Sequence, residues 1–419
     1  MASKKFDVLI LGGGVVGMST ACHLAMRGVC NKLKVAVVEK DSTYSQASAM
    51  LSAGGMRQQF SLEDNVKMSL YGVDFIRRMR SWPSAADVQF KEQGYVFLAK
   101  SDEGVEILRQ NHLIQKGAGA NIQLLPTRDL QAKFPWMDTS EIQLGSFGSS
   151  GEGWFDPWTL LNNMKRRALE GGVAIIDGSL QSLELDDSSC SINHANIQDK
   201  GGHIHQMTAG TYIMTAGAWA AHSCMDDLVS RMGGLGVFDH WPVRPKKRCI
   251  FSFHCPSALE QGIDRGGLTV DPSGVYFRPE GKGSSNFICG VSPPSDRDKD
   301  VNQLDTQDVD HELFEGVIWP TLAARVPAFQ EIKLKRWWAG LYEYSTLDQN
   351  AFIGAMPGLP NLLICNGFSG HGLQQSPAAG RAISELVLDG KYTSLDLSIF
   401  GCERLLTNPP TQVLERNIV

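Results

Sequence analysis

The stretch FDVLILGGGVVG, residues 6–17, decides the fold. Its apolar run, 6–11, meets three consecutive glycines, which is how a buried parallel strand enters a sharp turn. Beyond the turn, Met18, Ala21, Leu24 and Ala25 recur at helical spacing and Gly28 follows as a C-cap, so the pattern predicts a helix over 14–27. Residues 34–39 (KVAVVE) supply a second apolar strand. Strand, helix and strand make one β-α-β unit, and its short crossover should be right-handed.

The turn is also a chemical device. Gly12 permits the tight bend, Gly14 lets backbone approach a pyrophosphate, and Gly17 allows close helix–strand packing. The helix N-terminus then offers free N–H donors and the positive end of its dipole to phosphates. Glu39, 22 residues after Gly17 at the end of the second strand, is placed to accept hydrogen bonds from an adenosine ribose. A carboxylate there disfavours a 2′-phosphate and hence NADP. This unit alone leaves NAD and FAD both open.

A second glycine-rich turn bears on that choice. GFSGHGL, residues 367–373, follows a predicted strand at 362–365 and precedes a predicted helix at 377–388. Donors and a helix dipole at the far end of the chain suit a flavin, whose N1/O2 edge gains electron density on reduction. A nicotinamide needs no such site. Between the two turns lies SQASAMLSAGG, 45–55, a run of small polar residues that lets backbone come close to a ligand.

The remaining composition excludes more than it assigns. A chain of 419 residues suits two or three domains. The net charge of −6 argues against general nucleic-acid binding, which needs a basic face. Nine scattered cysteines form no CxxC pair, so they read as reduced thiols in an intracellular compartment, with no metal site. His203 and His205 alone do not make one. No apolar run is long enough to span a bilayer, and five residues before the first strand leave no room for a targeting segment, so either the protein is cytosolic or such a segment is missing from this chain. No Ser-His-Asp set appears with a nucleophile elbow.

Together GGGVVG (12–17), the small-residue run to Gly55, WFDPWTLL (154–161), MTAGAW (214–219) and GFSGHGL (367–373) resemble the D-amino-acid oxidase, glycine oxidase and sarcosine oxidase family of FAD proteins. TYSQAS, QQFSL, EGWFDPW and RVPAF are similar to a mitochondrial member implicated in respiratory complex I assembly. The resemblance therefore implies a mitochondrial location and complex I subunits as partners beside a small amine or amino-acid substrate. It implies FAD contacts at Gly12, Gly14, Gly17 and Glu39, and a segment along the flavin at Ser48, Ala53, Gly54 and Gly55. It further implies an adenine contact from the backbone of Val173, a phosphate turn at Gly217, and a flavin-ring site at Gly340, Gly367, Ser369, Gly370, His371, Gly372 and Leu373.

Relatives that attach FAD covalently use a cysteine or a histidine. The matching segments, 338–342 and 50–53, have neither, so the resemblance implies non-covalent FAD. The strand 274–278 lacks the lysine that promotes reaction with oxygen in sarcosine oxidases, which leans toward a dehydrogenase. Arg57 and Arg278 are the candidate cations for a substrate carboxylate, and Tyr276 and Tyr342 candidate pocket walls. The alternative function is an assembly factor that keeps its flavin for stability or redox sensing.

The predicted fold is α/β with an α+β substrate domain: a Rossmann-type FAD-binding domain from 1–90, 145–235 and 335–419, interleaved with an antiparallel-sheet substrate domain from 91–144 and 236–334.

Overall fold

The computed structural model describes residues 4–28, 32–186, 190–281 and 283–417. Its first sheet has five parallel strands in the order Leu359–Asn366, Ile204–Met214, Lys4–Leu11, Val35–Glu39 and Ala174–Asp177. Phe352–Met356 adds an antiparallel edge, and Ser179–Asp186 with Ser191–Gln198 leans on Ile204–Met214. The opening strand reads as a continuous apolar run because both its faces are covered. Val8 and Ile10 pack into the core on one side, Leu9 and Leu11 into the core on the other.

Helices Val15–Met26, Pro157–Glu170 and Gly372–Asp389 cover the first of these faces. The helix starts differ in a way that matters for function. Asp156 caps Pro157–Glu170 by accepting the N–H groups of Trp158 and Thr159, at 3.1 and 3.2 Å. Val15–Met26 begins at Gly14 with no side-chain cap and no acidic residue in its first turn. Its first N–H groups are left for something else.

The second sheet runs Lys333–Ser345, Val243–His254, Asn286–Gly290, Tyr276–Pro279, Leu268–Val270, Tyr95–Ala99, Leu144–Gly148, Ile122–Pro126. Neighbours are antiparallel except Leu268–Val270 beside Tyr95–Ala99. Phe253, Phe277, Phe287 and Phe329 stack into one core beneath it. The expected boundaries at 144/145 and 334/335 both fall inside strands of this sheet, Leu144–Gly148 and Lys333–Ser345.

Residues 186–200 look polar in sequence, yet they are largely the strand Ser191–Gln198; Ile192, Ala195 and Ile197 bury themselves across a bulge that hides their alternation. One local expectation needs correction. The final helix begins at Gly372, not near Pro377, which lies inside it. The N–H that Pro377 lacks would have served Leu373 O, and Ser376 Oγ donates to that carbonyl instead, at 3.0 Å. The helix N-terminus therefore sits in the rear glycine turn itself.

Candidate active site

A cleft of about 450 Å³ opens where the parallel strands end and the sequence crosses from strand to helix. This is where open α/β sheets bind ligands. Gly12, Gly14, Glu39, Ser48 and Gly217 line it. Gly12 has φ 109°, and a Cβ on Gly17 would lie 1.9 Å from Gly12 O, so these two glycines are demanded by the turn. Gly14 is different. A Cβ there meets nothing within 4 Å and would project into the cleft, so its bareness serves an occupant and not the protein's own packing. Together with the uncapped helix end, this is a cradle that fits the diphosphate of a dinucleotide. Glu39 Oε2 accepts Gly13 N–H and Oε1 accepts Asp41 N–H, both at 2.8 Å, which aims the carboxyl along the cleft wall. Burial raises its pKa from the ordinary glutamate value.

Val173 does not reach this cleft. It precedes the strand Ala174–Asp177, buried, with its N–H donated to Ala168 O at 3.0 Å. The residues that do line the cleft beyond that strand are Gly178 to Gln181, at its carboxyl end. The cleft is thus met by the carboxyl end of this element and not by its start.

The small-residue run links the cleft to a second, smaller cavity of about 70 Å³. Ala53, Gly54, Gly55, Arg57, Tyr276, Tyr342, Gly370, His371 and Leu373 line it, with Tyr95 and Gln374, which sequence reasoning missed. Tyr95 opens a strand whose five residues are all buried, so it reads as core. Gly370 has φ 92°, and a Cβ would stand 2.4 Å from Tyr342 Cε2; the turn and the phenol pack too closely for any side chain. Burial raises the phenol pKa of Tyr95, Tyr276 and Tyr342, so the three are neutral donors.

Arg57 is 3 % exposed, its guanidinium 4.1 Å from the Phe60 ring centroid. It donates to Gln59 O, to Asn417 O and to His371 Nε2, the last at 3.0 Å. An arginine only donates, so His371 Nε2 is the bare nitrogen and the ring proton lies on Nδ1. Burial, then Arg57, hold the His371 pKa well below the ordinary histidine value. His371 is a neutral donor and not a proton acceptor at that nitrogen.

Arg278, the other candidate cation, does not line the cavity. Its Nε donates to Ala53 O at 2.7 Å and its Nη1 to Pro279 O at 2.8 Å, which pins the small-residue segment from behind.

Four further residues shape the site without lining it. Gly367 N–H donates to Glu343 Oε2 at 2.9 Å, and Ser369 N–H to Glu343 O at 3.0 Å. Ser369 Oγ accepts Ser345 N–H at 2.9 Å. Gly372 opens the last helix, and a Cβ on it would stand 3.1 Å from Glu343 Oε1. Gly340 packs on Leu51, where a Cβ would meet Leu51 Cβ at 3.0 Å. Part of the donor set expected for a flavin is thus taken by the chain's own Glu343, itself a wall of the large cleft. Among the described residues no group of three or more His, Cys, Asp or Glu could hold a metal ion.

A two-sheet α/β fold with a dinucleotide cradle leading into a phenol-lined cavity defines a flavin-dependent oxidoreductase. The family of FAD dependent oxidoreductases (DAO) matches residues 7–386, and the chain belongs to it. It is 42% identical to FAD-dependent oxidoreductase domain-containing protein 1 of Xenopus laevis, over 99% of this chain and 85% of that one. It is 25% identical to glycine oxidase of Geobacillus kaustophilus, covering 96% and 98%. The structure of L-proline dehydrogenase from P. horikoshii superposes with a TM-score of 0.78 at 24% identity, covering 96% and 98%. FAD is the cofactor of this family.

Proposed function

We propose that this chain oxidises a small amine or N-methyl amino acid as a dehydrogenase, by hydride transfer to FAD held without a covalent bond. The cavity behind the rear turn carries the reading. It is small, walled by three neutral phenols, a neutral histidine and Arg57, and among the described residues no lysine lines it. Bound FAD supplies the hydride acceptor. The chain's own residues hold the amine against three buried phenol rings and beside the Arg57 cation, whose charge favours an uncharged nitrogen lone pair over its protonated form. Tyr276 and Tyr342 stand in the wall as hydroxyl donors for a substrate oxygen, and His371 as the source of an N–H. Support for non-covalent FAD comes from residues 338–342 and 50–53, the segments that match those carrying a linking cysteine or histidine in other members, which hold neither here.

The test is an anaerobic mixing experiment with sarcosine, dimethylglycine, proline and a panel of other amino acids. Loss of the flavin's visible absorbance with one of them is the expected result; no bleaching by any overturns the dehydrogenase reading.

One observation favours a second reading. The guanidinium of Arg57 already serves two backbone carbonyls and a histidine, so it is not a free clamp for a substrate carboxylate. In that reading the flavin is structural or redox-sensing, and the chain works by binding other subunits, those of mitochondrial respiratory complex I. Co-purification with those subunits, together with no bleaching, is its expected signature.

A further inference from the structure

Among the described residues Arg57 is the one arginine or lysine that lines the small cavity, and its acceptors limit what it can hold. A guanidinium grips a carboxylate with two parallel N–H bonds along either of two edges, Nη1 with Nη2 or Nε with Nη2. Both edges need a hydrogen of Nη2. Here Nη2 gives one to His371 Nε2 at 3.0 Å and the other to Asn417 O. Nη1 donates to Gln59 O. Neither edge is whole.

A buried carboxylate brings the Asn417 carbonyl into place. Glu415 is 0 % exposed although Leu414 and Arg416 on either side of it are exposed. It accepts Ser61 N–H at 2.8 Å, the Ser61 hydroxyl at 2.7 Å and the Asn65 amide at 2.9 Å. It also accepts Asn417 N–H at 2.8 Å, which fixes the residue that meets Arg57. The Asn417 amide donates to Gln59 O at 2.6 Å, so Arg57, Gln59 and Asn417 close a ring of three hydrogen bonds. Neither Gln59 nor Asn417 lines the cavity, so the ring holds the guanidinium from outside it. Burial disfavours the Arg57 charge, and the Glu415 carboxylate offsets part of that effect. The segment 413–417 thus gives Arg57 what a substrate carboxylate would bring, an acceptor and a negative charge.

We propose that Glu415 is a positioning residue that sets substrate choice: by docking this segment it keeps Asn417 O on Arg57, so the small cavity selects a substrate by its amine and gains little from a carboxylate. The proposal rests on the cavity being the substrate site beside FAD, and the experiment keeps the two apart. Glu415→Gln removes the charge and sets an amide among donors. Asn417→Ala removes only the bond to Gln59 O and leaves the buried carboxylate in place. Acetate and its neutral counterpart acetamide are titrated into the holoprotein, followed by calorimetry and by flavin difference spectra. Wild type should bind the two within about threefold of each other. Both variants should bind acetate about fivefold or more tightly, with acetamide unchanged. A wider wild-type preference for acetate overturns the proposal, as does acetate affinity that the variants leave unchanged or weaken. An equal change for acetate and acetamide assigns Glu415 a purely structural role and overturns it too. Should Glu415→Gln fail to fold, Asn417→Ala alone decides. A flavin that no amine bleaches sinks the underlying reading instead, and the acetate comparison, which needs no turnover, still decides the role of Glu415.

Discussion

Glu152 shows how one buried side chain sets a property of the folded state. It is 0 % exposed, accepts the Gln58 N–H and the Gln59 amide, 2.8 Å for the latter, and lies near Arg57. Burial outweighs these attractions and pushes its pKa from 4.5 up to about 7. The folded state then binds the proton more tightly than the unfolded one. Its stabilising contribution is complete below pH 4.5 and is lost as pH rises through about 7, a loss of about 3 kcal/mol. Melting curves at pH 5 and pH 8 should show the wild type weakening toward the higher pH, and Glu152→Gln, which cannot ionise, should flatten that slope. Nothing in the sequence marks this residue. Glu39 was legible because its meaning is set by a local spacing from Gly17, whereas Glu152 acquires its environment from Gln58 and Gln59, more than ninety residues away.

The front turn was legible for the same reason: strand, glycines and helix are contiguous, and each glycine's task follows from its place in the bend. The structure sharpens those tasks into an experiment. Gly17→Ala places a methyl against Gly12 O and should disrupt the fold, giving insoluble or partly unfolded protein. Gly14→Ala meets no neighbour within 4 Å and should leave the apoprotein's melting temperature within about 1 °C while weakening FAD uptake by about tenfold or more. Circular dichroism and flavin titration read the two outcomes, and equal effects from both would refute the cradle. The rear turn was legible as glycines but not as partners. That Glu343 takes the Gly367 N–H depends on a strand reached from the other sheet. The error at Val173 has a similar source, since the residues reaching the cleft, 178–181, follow the strand and carry no motif.

At the scale of the molecule, the chain leaves the first sheet twice and returns, so residues from both ends meet around one cleft: Gly12 and Gly14 from the start, Glu343 and Cys365 from the end. A ligand seated there bridges segments far apart in sequence and stabilises the whole by mass action, about 2.7 kcal/mol at a hundredfold excess over Kd. Acid precipitation of the holoprotein should leave the yellow colour in the supernatant; colour retained in the pellet would contradict non-covalent binding. That the chain interleaves two sheets was readable from glycine turns at its two extremes. The membership of Lys333–Ser345 was not, because alternation along a strand does not say which sheet it joins. That strand carries Tyr342 into the small cavity and its neighbour Glu343 into the large cleft. Successive side chains of a strand point to opposite faces, so one ribbon partitions the two compartments, phenol to one and carboxyl to the other. A slip of a single residue would bring Glu343 to the place of Tyr342, an acid beside Tyr95 and Tyr276, and Tyr344 to the place of Glu343, an aromatic in the wall of the large cleft. The walls of the two compartments are thus written on adjacent letters of the same strand, and neither can drift far without disturbing the other.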